Sequence, residues 1–310
     1  MLRVCQAAPV PADSDVLIPG PWTHRDVSAN GARFHVAEAG AGPLVLALHG
    51  FPQFWWCWRH QLIGLAEAGF RVVAPDLRGY GASDKPPRGY DVPTLVADCA
   101  GLVRALGEQR AIVVGHDWGG VLAWALASLH PEIVDRLVVL GAPHPLRMTE
   151  AMIKDPRGQL RASWYIIAVQ TPVLAERQLL EDDASAVGRM LQAWSGPGFP
   201  TQEAERAYRD AIQIPGVAHS ALEWYRWAVR SSFRPDGARY RRRLREPVHA
   251  PTLQLHGALD TCTLPRTAQG SGRYVAGTYE WRLIEGAGHF LPEEVPDLVT
   301  GEIVRWAKSV

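Results

Sequence analysis

Residues 112–124 contain the feature that most restricts how this chain can fold. Residues 112–114 are Ile-Val-Val, a β-branched apolar run typical of a buried strand, and they lead into Gly-His-Asp-Trp-Gly-Gly at 115–120. An apolar helical pattern follows directly. A strand, a tight turn and a helix in this order predict a nucleophile elbow, in which a strained central residue points its side chain outward. That central residue is Asp117.

A carboxylate at this position narrows the chemistry. A Ser nucleophile forms acyl-enzymes from esters and amides, whereas a carboxylate attacks an sp³ carbon that bears a leaving group and becomes an alkyl ester. The structural alternative is a glycine-rich turn in which Asp117 acts only as a cap. The elbow therefore predicts a hydrolase, and Asp117 limits its substrates to epoxides or alkyl halides.

Apolar runs and turn signals elsewhere predict the fold class. The predicted strands cover residues 24–29, 32–39, 44–48, 71–76, 134–140, 252–256 and 279–285, besides the strand of the elbow. The predicted helices cover residues 54–65 and 93–106, the stretch from the elbow to 129, and 295–308. An Asn-Gly pair at 30–31 predicts a hairpin between the first two strands. Strands that alternate with helices predict an α/β fold with a mainly parallel, doubly wound sheet.

The middle of the chain differs from both ends. From residue 144 to about 245 the pattern is helical, with Pro and Gly breaks at 172, 195–200 and 215–216. We expect this insert to lie over the carboxyl ends of the strands, where such sheets bind ligands. The predicted domains are a first core part at 1–143, a helical cap domain at 144–245 and a second core part at 246–310.

Two further residues complete a predicted catalytic triad. Asp260 follows the strand at 252–256, and His289 lies in Gly-Ala-Gly-His-Phe after the last predicted strand. The order nucleophile, acid, histidine, each in a loop after a strand, is typical of α/β hydrolases. Taken singly, an Asp or His beside glycine is a common turn residue. Together they predict that His289 activates water and that Asp260 orients His289.

Hydrolysis of an ester on Asp117 creates an oxyanion, so two backbone N–H donors are required. Trp118 directly follows the nucleophile and is expected to supply one of them. The strand at 44–48 ends in His-Gly-Phe-Pro at 49–52, and Phe51 is expected to supply the other. The structural alternative for this segment is a turn that ends the strand.

Composition and residue patterns argue against nucleic-acid binding, metal binding and insertion into a membrane. In 310 residues, 32 Lys and Arg balance 32 Asp and Glu, which argues against nucleic acid as a partner. Cys5, Cys57, Cys99 and Cys262 are scattered without metal-ligand spacing. We therefore expect reduced, mostly buried thiols and a cytoplasmic location, with no bound metal and no organic cofactor. Neither residues 1–20 nor any later segment has the pattern of a signal peptide or a membrane span, so no membrane partner is expected.

These motifs resemble the epoxide hydrolase branch of the α/β-hydrolase family. The segment at 49–52 resembles its oxyanion loop, in which the Phe–Pro peptide is typically cis, and 115–120 resembles its nucleophile motif. Asp260 and His289 occupy the acid and base positions. The resemblance runs from about residue 24 to the C-terminus and implies an α/β-hydrolase fold with a helical cap domain.

The resemblance also implies two tyrosines that bind and protonate the epoxide oxygen. Ser-Trp-Tyr at 163–165, followed by Gln-Thr-Pro at 170–172, resembles the first tyrosine motif and assigns Tyr165. Glu-Trp-Tyr-Arg at 223–226 resembles the second and assigns Tyr225. Without the resemblance, each tyrosine would be interpreted as packing on an amphipathic helix.

The predicted activity is conversion of an epoxide and water to a vicinal diol. The substrate is expected to be a small apolar epoxide, in a pocket lined by His49, Pro52 and Trp118. The protein is expected to be a monomer or a homodimer.

Two alternatives remain open at this point. Haloalkane dehalogenases share the Asp–Trp elbow, but many of them have Asn where this chain has Phe51, and others use a second Trp from the cap to bind halide. Fluoroacetate dehalogenases place Arg where this chain has Trp118 and Val121, which argues against that activity. A catalytically silent receptor with this fold would be favoured by the loss of a triad residue, and the sequence retains all three.

Overall fold

A computed structural model describes residues 10–309 of the chain. The predictions for Cys5 and for the first nine residues therefore lie outside the described residues. Cys57, Cys99 and Cys262 are free and buried, as predicted. Over the part of the chain that the structure describes, no helix combines the length and the apolar character needed to cross a bilayer.

The described strands form one eight-stranded sheet in the order β1-β2-β4-β3-β5-β6-β7-β8. The strands are β1 (Thr23–Ala29), β2 (Ala32–Ala39), β3 (Leu44–Leu48), β4 (Arg71–Pro75), β5 (Ala111–His116), β6 (Val134–Leu140), β7 (Thr252–Gly257) and β8 (Tyr279–Ile284). β2 is antiparallel to both β1 and β4, and the pairs from β4 onward to β8 are parallel. The predicted mainly parallel sheet is confirmed, and β2, β3 and β6 have the predicted bounds.

Helices surround this sheet and fill the chain between β6 and β7. They are α1 (Arg59–Glu67), α2 (Val92–Ala105), α3 (Trp118–Leu129), α4 (Pro145–Lys154), α5 (Gln159–Ala162), α6 (Trp164–Ala168), α7 (Leu174–Trp194), α8 (Gln202–Gln213), α9 (Val217–Arg230), α10 (Pro235–Arg243), α11 (Pro265–Gln269), α12 (Leu291–Glu294) and α13 (Pro296–Lys308). Short 3₁₀ helices cover Asp13–Val16, Trp55–Trp58, Ser231–Phe233 and Gly270–Tyr274. The sequence pattern does not predict α11 or α12, because each is too short to show a helical period.

Local sequence explains the main elements. Asn30 and Gly31 both have positive φ, +45° and +75°, so they form the tight two-residue turn that the hairpin β1–β2 requires. Every residue of β3 and of β5 is buried, since these central strands are covered on both faces. α1 packs against α13, and α2 packs against α3. These two pairs supply the helix layers that cover the two faces of the sheet.

Helices α4 to α10, called the cap helices below, occupy the predicted insert. The domain boundaries at 143/144 and 245/246 stay predictions.

One cap helix is irregular: α7 leaves the helical conformation at 181–184, where Asp183 has φ +58°. The reason lies in α8, since Arg206, Arg209 and Gln213 all hydrogen bond the Asp183 carboxylate.

Close packing at the start of α3 generates a first prediction. A Cβ on Gly119 would lie 2.1 Å from the Leu48 carbonyl oxygen of β3, and two backbone segments cannot easily separate. Gly119→Ala should therefore lower the free energy of unfolding by about 3 kcal/mol. Gly301→Ala in α13 is the matched control, because a Cβ there meets nothing within 4 Å. It should raise stability by up to about 1 kcal/mol. Urea denaturation measures both, and equal stability of the two variants would show that the elbow tolerates a side chain.

Candidate active site

The elbow holds Asp117 in a strained conformation at the carboxyl end of β5. Its backbone has φ +50° and ψ −117°, which is rare for a residue other than glycine. Glycines surround it because there is no room for other residues: a Cβ on Gly115 would lie 2.2 Å from the Gly119 carbonyl oxygen. A Cβ on Gly50 would lie 2.4 Å from the Asp117 Cβ. The chain therefore crowds Asp117 from two sides and fixes where its carboxylate points.

The two oxygens of the Asp117 carboxylate have different surroundings. Oδ1 accepts a hydrogen bond from the Phe51 N–H at 2.8 Å. Oδ2 lies 3.5 Å from His289 Nε2. Burial alone would raise the pKa of Asp117, but the neighbouring His289 cation and the Phe51 N–H outweigh it and hold that pKa below its usual range. Asp117 is therefore ionised at neutral pH, as a nucleophile must be.

His289 and Asp260 form a buried pair beside it. His289 Nδ1 donates to Asp260 Oδ2 at 2.8 Å, and both side chains are fully buried. Asp260 Oδ1 accepts the backbone N–H groups of Cys262 at 2.9 Å and Thr263 at 2.8 Å. Burial opposes both charges, yet the attraction between the two groups holds the pKa of Asp260 far below its ordinary value and that of His289 well above it. The resting site thus holds an imidazolium between two carboxylates.

His49 supports the oxyanion loop from beneath. Its Nε2 accepts the Leu77 N–H at 3.0 Å, so its Nδ1 carries the proton and donates to the Gly50 carbonyl at 3.1 Å. Burial lowers the pKa of His49 and keeps the ring neutral. Backbone groups therefore occupy both ring nitrogens, and the assignment of His49 to the lining of the substrate pocket stays a prediction. The Phe51–Pro52 peptide is cis, as the resemblance implies.

The cap helices place two tyrosines over this site. Tyr165 on α6 and Tyr225 on α9 have ring centroids 5.8 Å apart in an edge-to-face arrangement. The Tyr225 ring also packs edge-to-face on Trp118 at 5.0 Å and on Phe51 at 5.5 Å. The Tyr165 hydroxyl lies 3.3 Å from Cys262 Sγ. Burial, with smaller effects from neighbouring groups that include Asp117, raises the pKa of each phenol well above its ordinary value. Both remain protonated at any physiological pH.

That both hydroxyls reach one epoxide oxygen, as the resemblance implies, stays a prediction. The structure does bring the two rings together. Tyr225 lies beside the elbow, and Tyr165 lies beside the loop that carries Asp260. Trp118 begins α3, so its N–H has no partner within the helix and is available to an oxyanion.

Sequence reasoning missed several side chains of this site. His116 Nε2 donates to the His289 carbonyl at 2.8 Å, and burial lowers the pKa of His116 to about 4. His256 Nε2 lies 3.2 Å from Asp260 Oδ2. Both histidines stand inside the predicted motifs, and that position is the signal that could have found them. Trp194, which the sequence offers only as one of the cap tryptophans of the dehalogenase alternative, packs its ring on His289 at 5.8 Å.

Among residues 10–309, no group of three or more His, Cys, Asp or Glu side chains is arranged to hold a metal ion. The site brings together a carboxylate, a histidine paired with a second carboxylate, and two phenols, which are groups of the kinds that can act as nucleophile, base and proton donors.

Comparison with known proteins agrees with this geometry. The profile of the alpha/beta hydrolase fold family matches residues 43–296. An AB hydrolase superfamily protein of Bacillus subtilis is 35% identical over 91% of this chain and 97% of its own length. Epoxide hydrolase A of Mycobacterium tuberculosis is 32% identical over 93% of this chain and 98% of its own. The solved structure of an epoxide hydrolase from an endophytic Streptomyces is 31% identical, with a TM-score of 0.79 over 93% of this chain and 96% of that one.

The chain therefore belongs to the α/β-hydrolase fold family and is a hydrolase. Within that family it is an epoxide hydrolase-like member, since relatives over nearly its whole length carry that name.

The charge arrangement of the site generates a second prediction. In Asp117→Asn the anion 3.5 Å from His289 Nε2 is lost, so the pKa of His289 should fall. A drop of at least about 1 pH unit is expected for loss of an opposite charge at this range. Titration of the imidazole by NMR measures it. Asp135→Asn is the control, because its side chain is 54% exposed and belongs to a surface pair with Arg110. An unchanged His289 pKa would show that its Nε2 does not face Asp117.

Proposed function

We propose that the enzyme converts a small apolar epoxide and water to a vicinal diol through an alkyl ester on Asp117. The observation that carries the proposal is the carboxylate at the elbow, with one oxygen on the Phe51 N–H and the other facing His289. A carboxylate so held is a nucleophile for carbon, and the base needed to release its ester lies beside it.

The first step opens the ring. Oδ1 is held by the Phe51 N–H, so Oδ2 is the oxygen free to attack a ring carbon. As the new C–O bond forms, the bond between that carbon and the epoxide oxygen breaks, and the electron pair stays on the oxygen. A phenol then supplies its proton to the resulting alkoxide. Tyr165 and Tyr225 are the donors that the proposal assigns, because both are neutral and their rings pack on each other, with Tyr225 also on Trp118 beside the elbow.

The second step hydrolyses the ester. Esterification removes the charge of Asp117, and with it one of the interactions that keep His289 protonated. The phenolate left by ring opening takes up the proton that His289 carries in the resting enzyme, so the phenol is restored and the imidazole becomes neutral. His289 then takes a proton from water, and the hydroxide attacks Asp117 Cγ. The negative charge develops on Oδ1, where the N–H groups of Phe51 and Trp118 stabilise it. Collapse expels the diol oxygen, which takes the proton from His289, and the Asp117 carboxyl then gives its proton to the neutral ring, which restores the resting carboxylate and imidazolium. Asp260 stabilises the imidazolium each time it forms.

A third prediction tests the covalent step. His289→Gln retains the nucleophile but lacks the base, so it should accumulate a protein adduct with the mass of the epoxide, visible by intact-protein mass spectrometry. Styrene oxide and a long-chain aliphatic epoxide are the probes, and a haloalkane assayed for halide release is the contrast. In a single turnover in heavy-oxygen water, wild-type enzyme should carry the label in Asp117. Label in the diol instead would mean direct attack by water and would overturn the mechanism.

A fourth prediction tests the phenols. An epoxide oxygen remains attached to carbon and needs a proton donor, so Tyr165→Phe and Tyr225→Phe should each slow adduct formation by about 10- to 1000-fold. The double variant should lose nearly all of it, while hydrolysis of a preformed ester changes much less. Tyr240→Phe is the control, since Tyr240 is a buried tyrosine that packs on Trp227. Near wild-type ring opening by the double variant would favour halide chemistry.

Haloalkane dehalogenation is the second candidate, and the cap tryptophans weaken it. Trp164 is 66% exposed and points away from the site. Trp194 packs on His289 and on Tyr165, at 5.8 and 5.2 Å between ring centroids. Trp224 is the buried neighbour of Trp118, at 5.7 Å, and is the one whose indole could serve a halide. The halide-release assay above distinguishes the two activities.

A further inference from the structure

The loop that carries His289 is bonded on both sides of that residue. It runs from the end of β8 to the start of α12. The His289 carbonyl accepts from His116 Nε2 of the core at 2.8 Å. The His289 N–H donates to the carbonyl of Trp194, the last residue of α7, also at 2.8 Å. The backbone of the base is therefore held by the core on one side and by a cap helix on the other.

The same end of α7 also binds the acid loop. The Thr261 hydroxyl, next to Asp260, donates to the Ala193 carbonyl at 2.7 Å. Carbonyl groups in the last turn of a helix have no partner within it, and they carry the negative end of the helix dipole. Here the loops of base and acid satisfy two of them. An imidazolium close to this helix end is favoured by the same dipole.

Glu294 joins the two sides. Its Oε2 accepts the N–H of Gly288 at 2.6 Å and the N–H of Gly196 at 2.8 Å, and its Oε1 accepts the N–H of Phe290 at 2.8 Å. Gly288 and Phe290 flank His289, whereas Gly196 follows α7. Among residues 10–309, no Lys, Arg or His lies within salt-bridge distance of this carboxylate. Three backbone N–H groups therefore stabilise its charge, and charge-assisted bonds of this kind are the strong ones.

At two glycines, the fit between the His289 loop and the end of α7 leaves no room for a side chain. A Cβ on Gly288 would lie 2.4 Å from Gly196 N and 2.5 Å from the Trp194 carbonyl oxygen. A Cβ on Gly196 would lie 2.7 Å from the Gly286 carbonyl oxygen. The two backbones are in direct contact, so a shift of one moves the other.

We propose that Glu294 is a positioning residue for the hydrolytic step: its carboxylate fastens the His289 loop to the end of α7, so that the base is correctly placed only while this part of the cap is docked. The nucleophile does not depend on this bond, because Asp117 is fixed by the elbow and by Phe51. The inference rests on the proposed function, and it assigns to Glu294 an effect on ester hydrolysis and not on ring opening.

Glu294→Gln tests the assignment, because the amide keeps the shape but loses the charge and one acceptor. Rapid-quench mass spectrometry with styrene oxide separates the two steps. Adduct formation should stay within about 3-fold of wild type, and ester hydrolysis should slow by about 10- to 100-fold, the scale of a small misplacement of a catalytic group. Accumulated adduct should lower kcat and KM together. Glu294→Asp, which keeps the charge, should recover part of the hydrolysis rate.

Glu302→Gln is the control. It removes a carboxylate on α13 that pairs with Arg282 of β8 and Arg305 of α13, away from the site. It should behave as wild type. Equal slowing of both steps in Glu294→Gln would mean general loss of cap packing, and unchanged hydrolysis would mean that the carboxylate does not position His289. Either result overturns the proposal.

Hydrogen exchange supplies a readout independent of catalysis. The amide protons of Gly196, Gly288 and Phe290 should be protected in the wild type and should exchange faster together in Glu294→Gln and Glu294→Asp. Unchanged protection in both variants overturns the fastening role. If wild-type protein forms no adduct with any epoxide, the proposed function fails, while this measurement still decides whether Glu294 joins the His289 loop to α7.

Discussion

The contact between β3 and the first turn of α3 is the constraint on which the rest of the structure depends. Gly119 lies so close to the Leu48 carbonyl that no side chain fits between them, and Gly50 leaves the same minimal space beside Asp117. This crowding forces Asp117 into a strained conformation and presents its carboxylate to the Phe51 N–H. Strain of this kind persists only where the surrounding structure determines it completely. The parallel sheet then brings the loops of Asp260 and His289 to the same edge.

The charged side chains of the candidate active site lie close together at this edge of the sheet. His289 Nδ1 lies 2.8 Å from Asp260 Oδ2, and His289 Nε2 lies 3.5 Å from Asp117 Oδ2. One imidazolium therefore lies between two carboxylates in the resting enzyme. The cap helices cover this group with aromatic rings, among them Trp194 on His289 and Tyr225 on the elbow, and leave the Asp117 side chain only 14% exposed. Electrostatic interactions are stronger in a buried site than in water, so the neutralisation of Asp117 in the proposed covalent step would change the proton affinity of His289 more than it would in solvent.

Much of the fold could be predicted because the relevant signals are local. Alternation, apolar runs and an Asn-Gly turn identified the strands of the sheet, and β3 and β6 have the bounds that their apolar runs indicate. The elbow motif identified Asp117, and the order of motifs in loops after strands identified Asp260 and His289. All the parallel strands have their carboxyl ends at one edge of the sheet, and ligands bind at that edge. A residue that directly follows such a strand must therefore lie there.

The sequence by itself therefore determined the sheet, the elbow and the identity of the three residues that the structure brings within hydrogen-bonding or ion-pairing range. Only the tertiary structure decided that both ring nitrogens of His49 bond backbone groups, those of Gly50 and the distant Leu77. Only the tertiary structure brought Glu294 to Gly196, a pair separated by 98 positions. Hydrogen bonds across such separations leave no periodic trace in a sequence, because they depend on how whole helices dock and not on the residues beside them.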